Sequence, residues 1–321
     1  MRQTAINHIY ELAKRDPRVV FIGSDLSPGL LKQMQQEMPE RFFMEGVSEA
    51  NVIGMAAGLA MDGYIPYVNT IATFLTRRCF DQIAIDVCHE NLPIRLIANG
   101  GGVVYAPLGP THLAFEDMAL LRALPQMTIC APVDAREMKD LMDASLDWQG
   151  PLYVRIAKGG DPIVSTAERG FAIGKAIEMR EGDDVAIVST GVMTTRALAA
   201  AEMLAADGIA CSVLHMHTVK PLDEAAVLRA IRGTNLVVSA EEHTVIGGLG
   251  SAVAELLAER GAGPRLLRVG LADAFPTGYG SQDHVMSLNG LLPQQVADSI
   301  RGALKDANVA AVPPKKAGHG G

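Results

Sequence analysis

At 321 residues, with 49% hydrophobic and 20% charged positions, the chain is long enough to bury a sizeable core, and two domains are expected. Its formal net charge of −8 argues against a phosphate-backbone partner, because nucleic-acid binders carry a basic surface or stripe. Cys79, Cys88, Cys130 and Cys211 lie in apolar segments with no C-x-x-C pair, which argues against a disulfide framework or a zinc site. With no secretory leader pattern and no unbroken apolar run of about 18 residues, a soluble cytoplasmic chain is expected.

Taken in chain order, short β-branched runs alternate with amphipathic stretches. Arg18–Gly23, Ile65–Asn69, Pro93–Ala98, Gln126–Ala131 and Leu152–Ala157 read as buried strands. Helices are expected between them, over Glu49–Met61, Phe74–His89, Phe115–Leu124 and Ala135–Leu146. This is the grammar of an α/β fold, a mostly parallel open sheet with helices on both faces. Residues 161–180 are mixed and glycine-punctuated, and a second series begins with the strand Asp184–Ser189. It continues through helix Thr194–Ala206, strand Ala210–His215, helix Glu224–Ile231, strand Leu236–Ala240, helix Leu249–Arg260, strand Arg265–Val269 and helix Gln294–Leu304. Two open sheets follow, with domains expected over residues 1–165 and 166–310 and a flexible tail over 311–321.

Four places carry residues suited to chemistry. Glu49 opens a helix whose next turns, Gly54, Ala56, Ala57, Gly58 and Ala60, have almost no bulk, so a lone carboxylate stands beside a close-packing seam. Phe74, directly after a strand, is offset from the core face formed by Leu75, Cys79, Ile83 and Val87, and Arg77 lies three residues on. A phenyl ring there is either core or a stacking platform for a flat ring. Residues 100–112 form a glycine-rich loop ending in His112, which reads as a general acid/base, a hydrogen-bond donor or a cap. The loop lacks the Gly-Lys-Ser/Thr ending of a P-loop. Arg155 and Lys158, at the end of a strand, suit either an anionic substrate group or a surface ion pair. Elsewhere, His215 and His217 share a strand face without a carboxylate nearby in sequence, and His243 reads best as a satisfied structural histidine.

The order and spacing of these strings carry a resemblance. Gly46-Val47-Ser48-Glu49, Gly54-Met55-Ala56-Ala57-Gly58-Leu59, Thr73-Phe74-Leu75 with Arg77 and Asp81-Gln82, and Gly109-Pro110-Thr111-His112 resemble the pyrimidine-binding domain of transketolase and 1-deoxyxylulose-5-phosphate synthase. Thr218-Val219-Lys220-Pro221-Leu222-Asp223 and Glu241-Glu242-His243 through Gly247-Gly248-Leu249-Gly250 resemble the transketolase C-terminal domain. The resemblance spans about residues 1–308. It implies thiamine diphosphate as cofactor, with Glu49 hydrogen-bonding the aminopyrimidine ring, Phe74 stacking on it and Arg77 lining its pocket. It also implies a two-carbon transfer from a ketose to an aldose, with His112 on the first substrate oxygens. Arg155 and Lys158 would then receive an anionic tail, phosphate or sulfonate.

Two departures bear on that implication. The family's diphosphate site uses Gly-Asp-Gly with a downstream Asn to hold Mg2+, and this sequence contains no Gly-Asp-Gly. The chain therefore resembles the C-terminal half of a transketolase. A separate subunit is expected to supply the diphosphate domain and its Mg2+ in an α2β2 heterotetramer, with the bare face beside Glu49 as the contact. Leu108 stands where the family has Asp before Gly-Pro-Thr-His, so the sugar preference is expected to differ. The rival readings are the beta subunit of a thiamine-dependent 2-oxo acid dehydrogenase, whose loop ends in Gln-His-Ser, a deoxyxylulose-phosphate-synthase-like half, and a non-catalytic partner.

Overall fold

The computed structural model describes residues 1–24, 29, 31–261, 263–277 and 279–310; the expected tail, 311–321, lies outside the described residues. Among the described residues, twelve strands lie in two sheets. They are β1 (Val19–Gly23), β2 (Phe42–Met44), β3 (Ile65–Ile71), β4 (Arg95–Asn99), β5 (Thr128–Cys130), β6 (Leu152–Ile156), β7 (Ile177–Arg180), β8 (Val185–Ser189), β9 (Cys211–His215), β10 (Thr218–Lys220), β11 (Leu236–Thr244) and β12 (Arg265–Leu271). The first sheet runs β10-β5-β6-β4-β3-β1-β2 and is parallel except for β10; the second runs β12-β11-β8-β9-β7 and is parallel except for β7. Both are covered by helices, as the alternating pattern requires: β1, β4, β6, β8 and β9 are buried at every position.

The helix Glu49–Met61 keeps its expected bounds. Val52, Ile53, Ala56, Ala57 and Ala60 face the core, whereas Gly54 and Gly58 look onto open space with nothing within 4 Å of where a Cβ would sit. The expected helix Phe74–His89 is broken into Ala72–Arg77, a single turn Phe80–Gln82 and a widened π-type segment Ile83–His89. The break at Arg78–Cys79 lets Leu75, Cys79, Ile83 and Val87 all stay buried while turning Arg78 outward. Several elements fall outside the sequence reading, including the short helices Lys32–Glu37 and Gln282–Leu288 and the strands β7 and β10; two others belong to the first sheet and its cover. The first is the N-terminal helix Arg2–Arg15, whose Ala5, Ile6, Ile9, Leu12 and Ala13 form a buried stripe. The second is the half-buried edge strand β2, too short to show a period.

The expected division at 165/166 is crossed by one strand. β10, from the second alternating series, pairs antiparallel with β5 of the first sheet, Thr218 opposite Cys130 and Lys220 opposite Ile129. Lys220 Nζ also donates to the carbonyl of Arg122 at 2.9 Å. The second half of the chain is thus stitched onto the edge of the first sheet.

Candidate active site

Four segments leave the carboxyl ends of parallel strands of the first sheet, the edge where open α/β sheets receive ligands. β2 leads to Glu49, β3 to Phe74, β4 to the glycine-rich loop and His112, and β6 to Lys158. Three of the expected site residues converge. Glu49 is only 4% exposed at the first position of its helix. Phe74 is half-buried, and its ring lies edge-on to the His112 imidazole, 5.2 Å between centroids at 61°. His112 is also half-buried, with Nδ1 at 3.0 Å from Thr111 Oγ1.

The cation beside these groups is Arg78, which sequence reasoning missed. Its Nη1 donates to Glu49 Oε2 at 3.0 Å, and its guanidinium carbon stands 4.1 Å from the Phe74 ring centroid. Arg77 points elsewhere: it pairs with the Glu116 carboxylate, donates to Leu113 O at 3.1 Å and lies 5.5 Å from the Phe115 ring. It ties the helix Ala72–Arg77 to the segment following His112 and does not reach Glu49. Helical spacing allows either arginine to share a face with Phe74. The choice is made by Glu116, a partner distant in sequence.

Arg155 corrects a second expectation. Its side chain is 7% exposed, and Nε and Nη2 are engaged: Nε with Asp117 Oδ2 at 2.8 Å, and Nη2 with Asp117 Oδ1 at 3.0 Å, Ala114 O at 3.1 Å and Glu242 O at 2.9 Å. Asp117 is fully buried and also accepts from the Tyr153 hydroxyl at 2.6 Å. Burial alone would raise the Asp117 carboxyl; the Arg155 charge together with the hydrogen bonds from Arg155 and Tyr153 outweighs that and holds it below the usual range. An arginine bound in this way is an interior strut and has little to offer a substrate anion. Lys158, by contrast, is exposed and makes no ion pair among the described residues.

The glycine-rich loop is packed against side chains and forms no phosphate cradle. A Cβ on Gly101 would stand 2.4 Å from Arg155 Cγ. On Gly102, which sits at φ +70°, it would stand 2.5 Å from the Glu242 carboxyl carbon. Glu242 Oε1 accepts from Val103 N at 2.8 Å and from Gln282 Nε2 at 2.9 Å. The adjoining residues act alike. The Glu241 carboxylate accepts from Leu249 N at 2.7 Å and Gly250 N at 2.8 Å, at the start of the helix Leu249–Glu259. His243 Nδ1–H donates to Thr244 O at 2.7 Å, and its Nε2 accepts from Ala119 N–H at 3.2 Å. Glu241-Glu242-His243 is therefore a set of struts on β11: Glu242 holds the glycine-rich loop, His243 the helix Asp117–Arg122 and Glu241 the start of the helix Leu249–Glu259, as expected for a structural histidine at 243.

Burial pushes His243 down to about 4, and its two hydrogen bonds require the neutral ring. A histidine depressed in the folded state contributes stability that is present above its unfolded value, about 6.5, and is lost as pH falls from there toward 4. The contribution is on the order of 3 kcal/mol. His243→Asn is expected to show a flatter dependence of unfolding free energy on pH in that window than the parent chain. Urea titrations from pH 7 to pH 4 would read the difference.

His215 and His217 are buried where the two sheets meet. The carboxylate that the sequence did not reveal comes from the first half of the chain: Glu137 Oε2 stands 2.9 Å from His215 Nε2. His217 stacks on Phe171, 4.3 Å between centroids. Among the described residues, no group of three or more His, Cys, Asp or Glu is placed to hold a metal ion.

Two helix-covered, mostly parallel sheets, with a buried helix-opening carboxylate and a half-buried phenyl ring at the carboxyl ends of the first, define an α/β chain. The chain belongs to the transketolase family, matching the transketolase pyrimidine-binding domain over residues 1–160 and the transketolase C-terminal domain over residues 174–296. It is 39% identical over 297 residues to the 6-deoxy-6-sulfo-D-fructose transketolase subunit SqwH of Clostridium sp. (strain MSTE9), covering 92% of each chain. It is 40% identical over 270 residues to 1-deoxy-D-xylulose-5-phosphate synthase 1 of Geobacter sulfurreducens, covering 83% of this chain and 42% of that enzyme. Among solved structures, a split-gene transketolase described as an inactive β4 tetramer superimposes with a TM-score of 0.87 at 37% identity, covering 95% of this chain and 98% of the other. Members of this family use thiamine diphosphate. No described helix is long and apolar enough to cross a membrane.

Proposed function

We propose that this chain is the C-terminal subunit of a split transketolase, moving a two-carbon ketol unit from an anionic ketose to an aldose. The observation that carries the reading is the convergence of buried Glu49 with half-buried Phe74 and His112 at the carboxyl ends of parallel strands of the first sheet. These residues fit the cofactor's ring end. In this structure the Phe74 face and the Glu49 carboxylate already hold one flat, hydrogen-bonding cationic group, the Arg78 guanidinium. Thiamine diphosphate, when bound, supplies the carbon nucleophile that carries the fragment.

In this reading Glu49 exchanges a proton with the aminopyrimidine edge, Phe74 fixes the plane of the ring, and His112 hydrogen-bonds the ketose oxygens next to the bond that breaks. Lys158 receives the anionic tail. Leu108, half exposed beside Gly109, offers no acceptor to a sugar hydroxyl. A sulfonated sugar is the first substrate to try, given the relative that acts on 6-deoxy-6-sulfo-D-fructose. The diphosphate and Mg2+ belong to a second subunit in an α2β2 heterotetramer, docked on the open Gly54–Gly58 face with exposed Val47 and Met61 near it in sequence and exposed Ile85 on the segment Ile83–His89 that packs against the same helix. The similarity to a split-gene transketolase along nearly its whole length supports that division.

A second reading, a deoxyxylulose-phosphate-synthase-like half, is favoured by the 40% identity to that enzyme. Product analysis separates the readings. The chain assembled with its partner should transfer a two-carbon unit from a sulfonated or phosphorylated ketose to an aldose. Formation of 1-deoxy-D-xylulose 5-phosphate, or acylation of a lipoyl domain, would overturn the transketolase assignment. We predict that Lys158→Ala raises KM for the anionic ketose about tenfold, as loss of a charge-assisted hydrogen bond implies, with kcat little changed. An unchanged KM would remove Lys158 from substrate binding.

A further inference from the structure

We propose that Arg78 is a gate on the ring site: its guanidinium and the pyrimidine ring of thiamine diphosphate are alternative occupants of the Phe74 face and the Glu49 carboxylate. The inference rests on the ring-site reading above and adds a residue that competes with the cofactor.

One side chain makes both contacts that the ring would make. A guanidinium is planar, delocalised and rimmed with donors, so it can stack on a phenyl face while donating from its edge to a carboxylate. Arg78 does both, with its guanidinium carbon 4.1 Å from the Phe74 centroid and Nη1 3.0 Å from Glu49 Oε2. Two stacked planes stand about 3.5–4 Å apart at closest packing. A ring touching Phe74 and Glu49 together must enter the space the guanidinium fills.

The contact also has a reason to form. Glu49 is 4% exposed, and Arg78 supplies its ion-pair partner among the described residues; an unpaired charge at such a position is costly. Departure is nonetheless open. Arg78 follows directly on the helix Ala72–Arg77, its side chain is 46% exposed, and Glu49 is its hydrogen-bond partner among the described residues. The gate is weak for the same reason: a half-exposed ion pair and one cation–π contact together correspond to about a three- to thirtyfold change in an equilibrium constant.

The test uses this chain assembled with its diphosphate-binding partner in saturating Mg2+, titrated with thiamine diphosphate in a calorimeter and mixed with it in stopped flow. Arg78→Ala is expected to bind the cofactor three- to thirtyfold more tightly and to associate faster, with Arg78→Lys between the two because a lysine keeps the charge without the plane. A second readout separates a gate from a merely structural arginine. Arg78→Ala should lower the melting midpoint of the full chain without cofactor, and the deficit should close when the assembled enzyme is saturated with thiamine diphosphate. Equal or weaker cofactor binding by Arg78→Ala, or a melting deficit that persists at saturation, would overturn the gate. In parallel, Glu49→Ala should weaken cofactor binding about tenfold. Parent-like binding by that variant would instead remove the ring-site reading, and the gate with it.

Discussion

Replacing Glu49 by Gln is expected to lower kcat of the assembled enzyme by roughly 10²–10⁴, the range a positioned proton-transfer group contributes. The amide keeps the volume and edge of the carboxyl group, so the buried position at the head of the helix Glu49–Met61 remains filled. What is lost is the capacity to give and take a proton at the pyrimidine edge. The half-exposed ion pair with Arg78 is also lost, at a cost of about 1 kcal/mol or less. A large fall in kcat with an almost unchanged melting midpoint is therefore the signature. If turnover survives Glu49→Gln within a few-fold of the parent rate, Glu49 is a structural charge and the family role does not transfer.

Removing Asp117 is expected to damage stability more than any other single change near the site, by about 3–5 kcal/mol for Asp117→Ala. The substitution would strand the Arg155 guanidinium in the interior and leave the Tyr153 hydroxyl without its acceptor. It would also loosen the segment between His112 and the second sheet, because Arg155 Nη2 reaches the carbonyls of both Ala114 and Glu242. The depressed Asp117 carboxyl adds a pH signature. Its contribution is present above the unfolded carboxyl value, near 4, and is lost as pH falls below it. A double-mutant cycle with Asp117→Leu and Arg155→Met tests the assignment. Each single change should be strongly destabilising and the pair much less so, since an apolar pair can replace a buried ion pair. Additive costs would mean that Arg155 acts separately from Asp117, and a direct role toward substrate would regain ground.

The contrast between Glu49 and Arg155 shows what was legible in the chain. Buried strands such as β4 and β6, and the helix Glu49–Met61 with its bare glycines, are local patterns of hydrophobicity and size, and they were readable to within a residue or two. Glu49, Phe74 and His112 stood out by local context: Glu49 opens a helix with a bare small-residue face, Phe74 follows directly on a strand, and His112 ends a glycine-rich loop. The roles of the cations were not readable, because they depend on partners far along the sequence. Asp117 takes Arg155, Glu116 takes Arg77, and Glu49 is left to Arg78. The same holds for Glu137 beside His215 and for β10 crossing onto the first sheet. The string Glu241-Glu242-His243 was visible as a motif, but its physical meaning, three buried struts of which Glu242 holds the site loop, required the second sheet to be in place.

In the proposed function this chain holds one half of a thiamine diphosphate site and needs a second polypeptide for the other half. Reconstitution of the two tests it. This chain, a candidate diphosphate-binding subunit carrying Gly-Asp-Gly with the downstream Asn, and their mixture would each be titrated with thiamine diphosphate and Mg2+ and assayed for two-carbon transfer. Tight cofactor binding and turnover are expected in the mixture alone, with activity saturating at one partner chain per chain of this protein. Tight binding and full turnover by this chain alone would contradict the proposed function.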